Sequence, residues 1–169
     1  MINDFKKGEN MKPQNLQQLL KVMEDMADLE MALADLYQTC SDTFPDDTHF
    51  WTAIKRQEEG HADSLRKIAA LVAANPQEFA IDRTFNPAAI KTIKNGVMVH
   101  IDALKRAEIS RAKMMTIARD IEGSLIEANY SKLVKTNNVQ FMDVISRIDN
   151  ETTAHKNLMI KKIASIEVR

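Results

Sequence analysis

The sequence predicts an all-α protein: one antiparallel bundle of four helices, with a long crossover between the second and the third. Three observations predict it. Four glycines and four prolines punctuate 169 residues and aromatics make up 5%, too few for the closely spaced turns and aromatic strands of a sheet protein. The abundant side chains, Ala, Leu, Ile, Lys, Glu and Met, favour helices. Apolar residues recur three and four positions apart through long stretches, the period of a helix with one buried side. A chain of this length fits a single domain with one substantial core.

Met1 to Gln14 is polar, carries Lys6, Lys7, Gly8 and Pro13, and lacks the apolar run of a signal peptide, so residues 1–14 read as a flexible tail before a domain at 15–169. The first helix opens at Asn15, a good N-cap, and runs to about Phe44. Leu16, Leu19, Leu20, Met23, Met26, Ala27, Leu33, Tyr37 and Cys40 share one side of it, which Glu30 interrupts. Pro45-Asp46-Asp47-Thr48 is a short turn into an antiparallel second helix reaching roughly Ala74. Its buried side holds Trp51, Ile54, Leu65, Ile68 and Val72, together with Glu58 and His61.

Asn75-Pro76 stops that helix, and the stretch to Phe85, without helical periodicity, is long enough to cross over. Asn86-Pro87 supplies a cap and a first-turn proline for a third helix to about Lys135, with Asn95-Gly96 as a candidate break. Ile101, Leu104, Met115, Ala118 and Leu125 mark its buried side, where Glu122 also sits. Thr136-Asn137-Asn138 turns the chain into a last helix, about Val139 to Ser165, which buries Ile145, Ile148, His155 and Met159. Glu151 lies one turn before His155.

The chemistry lies in the ionisable residues on these apolar sides. A buried carboxylate must be paired or must take up a proton, and Glu58 with His61, three residues apart, is a standard way to hold a metal inside a helical bundle. Two iron or manganese ions in such a bundle are commonly held by one Glu from each of two helices and a Glu-x-x-His pair from each of the others. Glu30 and Glu122 supply the single acids. The last helix departs from the scheme, because Thr152 stands three residues before His155 and Glu151 stands four before it, roughly 100° further around the axis.

Taken singly, each acid reads as a half-exposed helix residue and each histidine as a satisfied core group. Together, Glu30, Glu58, His61, Glu122 and His155 fall on the apolar sides of four different helices, which favours a metal centre. Tyr37, two turns after Glu30, is placed either to hydrogen-bond a ligand carboxylate or to keep its hydroxyl wet. Asp28-Leu29-Glu30 with Tyr37 and Asp120-Ile121-Glu122 with Tyr130 suggest an approximate repeat of two helical hairpins. His100, 22 residues before Glu122, would lie ~33 Å from it on a continuous helix, His49 has no visible partner, and Glu59 should face outward.

Other classes find little support. The balance of 23 basic and 24 acidic side chains argues against nucleic acid or an anionic membrane as partner, and no stretch reaches the ~20 apolar residues of a membrane-spanning helix. Cys40 is the sole cysteine, which excludes an internal disulfide framework or multi-thiolate site and fits a reducing cytoplasm. The ten methionines suit adaptable core filling, and neither a nucleophile motif nor a phosphate loop is present.

Leu29-Glu30 with Tyr37, Phe44-Pro45, Phe50-Trp51 leading into Glu58-Glu59-Gly60-His61-Ala62, Ile121-Glu122, and Glu151-Thr152-Thr153-Ala154-His155 carry a family resemblance. From about Asn15 to Ile163 the chain resembles the ferritin-like superfamily and, within it, the rubrerythrin-like group of small bundles. The resemblance implies a ferritin-like left-handed four-helix bundle and a non-haem di-iron centre that reacts with peroxide or oxygen. By position, Glu30, Glu58, His61, Glu122 and His155 would bind two iron ions, with manganese or zinc as alternatives. Glu151 is carried over as the nearest acid to the remaining ligand position, and Tyr37 as a hydrogen-bonding neighbour.

Rubrerythrins proper also own a rubredoxin-type domain built on Cys-x-x-Cys pairs, which this sequence does not contain, so an external electron donor is expected. The leading expectation is thus a peroxidase or ferroxidase in oxidative-stress or iron handling, cytoplasmic and homodimeric. Two others stand beside it: ferritin-type iron oxidation and storage, and a bundle with a degenerate or absent metal site that acts through protein interaction.

Overall fold

Helical periodicity and local capping divide the described residues into five α-helices. The computed structural model describes residues 11–82, 87–128 and 132–167. In order these form α1 (Pro13–Thr43), α2 (Thr48–Ala74), strand β1 (Phe79–Ile81), α3 (Pro87–Lys105), α4 (Arg111–Ala128), strand β2 (Val134–Thr136) and α5 (Val139–Glu167). The all-α class holds; the two short strands are a minor addition.

The first helix begins earlier than its predicted cap. Pro13, with φ fixed by its ring and no N–H to satisfy, takes the first helical position, and the Lys12 carbonyl accepts from Asn15 and Leu16 N–H at 2.9 and 3.1 Å. Asn15 is therefore inside α1, and the predicted tail shrinks at its C-terminal end; residues 1–10 lie outside the described residues. So do Asn86, the predicted cap of the third helix, and Tyr130, the second member of the proposed tyrosine repeat.

The largest correction concerns the third predicted helix. It is neither continuous to Lys135 nor broken at Asn95-Gly96; Gly96 sits within α3, and the chain breaks at residues 106–110. Glu108 N–H donates to the Ala103 carbonyl at 3.0 Å and Ala107 N–H to that of Leu104 at 2.9 Å, with Ala107 left-handed at φ 56°. This is the Schellman end of a helix, made here on alanine where glycine is usual. Ser110 then starts α4, its hydroxyl accepting Lys113 N–H at 3.3 Å. At its other end α4 is described to Ala128; Val134 and Lys135, expected at the end of the helix, and Thr136, expected in the following turn, form strand β2.

The strands join two connections. β1, after α2, pairs antiparallel with β2, before α5, in the register Phe79↔Thr136, Ala80↔Lys135 and Ile81↔Val134. Asn138 caps α5 by accepting Phe141 N–H at 3.0 Å while donating to Glu78 at 2.7 Å, and Phe79 packs against Phe141 with ring centroids 5.4 Å apart. The stretch between α2 and α4 thus contains a strand and a whole helix, α3, which lies on α1 with Lys94 3.4 Å from Asp28.

Helix directions follow from the side chains that meet. Thr48 donates to the Ser41 carbonyl at one end of α1 and α2, while Arg66 reaches Glu24 and Asp28 further along, so the two are antiparallel. Likewise, α5 runs antiparallel to α2, pairing Arg147 with Ser64 and His155 with Gln57. At one end, the fully buried Asp47 carboxylate receives both Arg111, from the start of α4, and Lys162, from α5. The Arg111 hydrogen bonds, reinforced by Lys162 against the effect of burial, hold the Asp47 carboxyl below its usual range.

The predicted core is the observed one. Leu19, Met23, Met26, Leu33, Tyr37, Cys40, Trp51, Ile54, Leu65, Ile68, Val72, Ile101, Leu104, Met115, Leu125, Ile145, Ile148 and Met159 are all buried, whereas Leu16 and Leu20 pack at its margin. Among the described residues, no helix is long and apolar enough to cross a membrane.

Ala107→Gly should raise stability, because glycine adopts positive φ freely while an L-residue there loses roughly 1–2 kcal/mol per position, offset by glycine's greater freedom when unfolded. A net gain of about 0.5–1 kcal/mol in urea denaturation is expected; an unchanged or lower midpoint would contradict the strain assigned to this turn.

Candidate metal centre

Four helices each turn an ionisable residue into the core: α1 Glu30, α2 Glu58 and His61, α4 Glu122, and α5 His155. None is more than 2% exposed. Each replaces an apolar residue on a buried stripe, so helix packing alone brings them together. They form two groups, Glu30 with Glu58 and His61, and Glu58 with Glu122 and His155; within each, one donor atom per residue lies within 4.8 Å of the others.

Glu58 belongs to both groups. Its Oε2 lies 2.9 Å from His61 Nδ1 and its Oε1 lies 2.9 Å from His155 Nδ1. His61 Nδ1 is also 4.0 Å from Glu30 Oε2, and His155 Nδ1 is 3.7 Å from Glu122 Oε1. The two imidazoles face each other nearly parallel, with centroids 5.9 Å apart. Tyr37, fully buried, donates its hydroxyl to Glu122 Oε1 at 2.6 Å and stacks on Trp51 at 5.5 Å.

The outer ring nitrogens are held as well. His61 Nε2 meets Glu151 Oε2 at 2.7 Å, and His155 Nε2 meets Gln57 Oε1 at 2.9 Å. Both outer partners accept, so a neutral imidazole that leaves Nδ1 free for a cation keeps its proton on Nε2; without a cation the carboxylates at Nδ1 accept equally well. Glu151 consequently stands behind His61, on the far side of the ring from Glu58, and joins neither group. Its spacing of four from His155 is what turns it away. Thr152, at the position expected for an acid, is buried and donates its hydroxyl to the Ile148 carbonyl one turn back at 2.9 Å.

The remaining predicted residues fall elsewhere. His49 is exposed, and Glu59 faces outward to Lys55 at 3.1 Å. His100 is outside both groups, though not for the reason expected: α3 ends at Lys105 and the chain folds back, so His100 lies in a surface pocket beside Asp120 of α4 rather than far along one helix. Burial raises the Cys40 thiol, which leaves it protonated and inert. Sequence reasoning missed Gln57 and Asp47. Gln57 is an outward residue one position before Glu58, and only the approach of α5 shows its use.

Electrostatics show what cations would relieve in this cluster. Burial, then the charge of Glu58, pushes the Glu30 carboxyl well above its usual range, and the same two causes outweigh His155 and Tyr37 to raise Glu122. Burial acts on Glu58 in the same sense, but the facing His155 and His61 prevail and bring it down to about 2. Burial lowers both histidines, yet the facing carboxylates overcome it; His155 rises to about 10, and His61 also rises. Without metal, the cluster is held together by shared protons.

The donor atoms fit a metal pair. Among the described residues, five buried side-chain polar atoms lack a hydrogen-bond partner, and four of them are Glu30 Oε2, Glu58 Oε1, Glu122 Oε2 and His155 Nδ1. The His155–Glu58 contact, though short, is misaligned for a hydrogen bond. Each unpartnered buried atom costs about 1–3 kcal/mol, and these four converge on the two groups, where cations would satisfy them. Carboxylate and imidazole donors suit iron, manganese or zinc. No protein-family model, curated protein or solved structure matches the chain.

A pH dependence follows. His155, raised from 6.5 to about 10, contributes stability that is complete below pH 6.5 and is lost as pH climbs through 10; Glu30 and Glu122, also raised, act in the same direction from above about 4.5. Glu58, lowered from 4.5 to about 2, contributes above 4.5 and fails as pH falls through 2. The metal-stripped protein should therefore be most stable near pH 4.5, with a urea midpoint that declines from there toward pH 10. A midpoint rising from pH 6.5 to 9 would refute this assignment.

Proposed function

We propose that the chain is a rubrerythrin-like member of the ferritin-like bundles, whose two carboxylate–histidine groups hold a pair of iron ions that react with peroxide or oxygen. In this reading α1, α2, α4 and α5 are the four bundle helices and α3 belongs to the crossover. The observation that carries it is Glu58, a single buried carboxylate with one oxygen turned to each group. A residue so placed serves two cations at once, whereas a metal-free core would gain more from an apolar side chain of the same size.

Glu30 and Glu122 would each bind one ion, Glu58 would bridge them, and His61 and His155 would donate Nδ1. When bound there, two ferrous ions would supply the two electrons that, with two protons, reduce hydrogen peroxide to two waters. The protein's part is positioning and exclusion. Tyr37 fixes the Glu122 carboxylate through its 2.6 Å hydrogen bond, and Trp51, stacked on Tyr37, walls that side with apolar surface. Three inner carboxylates would leave two divalent ions one positive charge in excess, which the Glu151 carboxylate behind His61 would offset only from outside, since Thr152, bonded to its own helix, adds none.

An external electron donor, a cytoplasmic setting and a homodimer belong to the same proposal. Ferritin-type iron oxidation would use the same donors, and particle size separates a dimer from a cage.

Anaerobic protein loaded with ferrous iron and mixed with hydrogen peroxide should consume one peroxide per two irons oxidised. Glu58→Ala should lose at least one of the two ions and lower the oxidation rate by 100-fold or more, while a far-UV spectrum still reports helix. Oxidation at the rate of free iron, or an unaltered rate in the Glu58 variant, would refute the proposal.

A further inference from the structure

The two groups are matched in their inner donors, each having one acid of its own, a share of Glu58 and one histidine. They differ behind the histidines. His61 gives its outer N–H to the Glu151 carboxylate at 2.7 Å, but His155 gives its own to the neutral Gln57 amide at 2.9 Å. A carboxylate partner makes a charge-assisted hydrogen bond, raises the basicity of the nitrogen facing the metal, and adds a negative charge beside that half of the centre. A neutral amide does neither to the same degree.

On the His155 side, Glu122 Oε1 also accepts the Tyr37 hydroxyl at 2.6 Å, which draws charge from that carboxylate; the Oε2 atoms of Glu30 and Glu122 are alike in meeting no donor. Glu151 side chain is one-third exposed, so its charge is screened, yet it is the sole acid touching a ring nitrogen from outside the two groups among the described residues. We infer that the two halves are inequivalent, that the first metal ion enters the Glu30–Glu58–His61 half, and that Glu151 is the positioning residue that sets this order. The inference rests on the metal reading above and extends it to which half loads first and why.

Sequential binding alone does not test this, since two cations sharing Glu58 repel each other whatever the order; location does. Cobalt(II), added at half an equivalent to crystals of the metal-stripped full chain, should give its main anomalous peak between Glu30, Glu58 and His61. In solution, Glu151→Gln should weaken the first cobalt step 10–100-fold in competition with a chelator and abolish the preference between halves. Gln57→Glu, a change at the other ring, should tighten the His155 half and equalise or reverse the order, which keeps the test open if the Glu151 variant folds poorly. Cobalt sitting first at His155 or equally in both halves, or a Glu151→Gln protein with unchanged first affinity and location, overturns the inference. Wild-type protein that binds no cobalt overturns the metal reading itself.

Discussion

Glu58 constrains the rest of the structure. A carboxylate buried between two histidines, with two more acids within reach, concentrates repulsion and desolvation in the middle of an apolar core. Such a cluster persists only if four helices deliver their donors in register and their ends are fastened. Asp47 does the latter at one end, gathering the turn after α1, the start of α4 and α5 on one buried carboxylate. The β1–β2 pair ties the connection after α2 to the one before α5. Between them, Tyr37 and Trp51 pack one side of the cluster and Gln57 and Glu151 close its outer nitrogens.

The division of labour between inner and outer partners also gives the site its chemical character. Inner donors are nearly symmetric and would define a pair of ions; outer partners are not, and would distinguish its members. The substitution of Thr152 for a fourth inner acid has two consequences. In the metal reading it would leave the inner donors short of negative charge, with Glu151 set behind the opposite histidine. One departure in α5 would thus account for both the charge left on the pair and the proposed inequivalence of the halves.

Much of this was legible in the sequence because burial follows helical period. Glu30, Glu58, His61, Glu122 and His155 were found as polar breaks in apolar stripes, and all five are buried together. What local pattern could not show was where the chain reverses. The turn at Ala107 has no glycine or proline to announce it, and its only forward signal is Ser110, a cap residue after Ile109. Missing that turn made α3 and α4 one helix and gave His100 the wrong reason for standing apart. The roles of Gln57, Asp47 and Glu151 depend on side chains from helices distant in sequence, so they required the fold.

The central claim is that Glu58 is shared by two metal ions. Its most direct measurement is anomalous scattering at the iron edge from crystals grown anaerobically with ferrous iron. The account predicts two peaks of comparable height, one on each side of Glu58, the first within reach of Glu30 and His61 and the second of Glu122 and His155. No peak, a single peak, or iron bound away from Glu58 would contradict it.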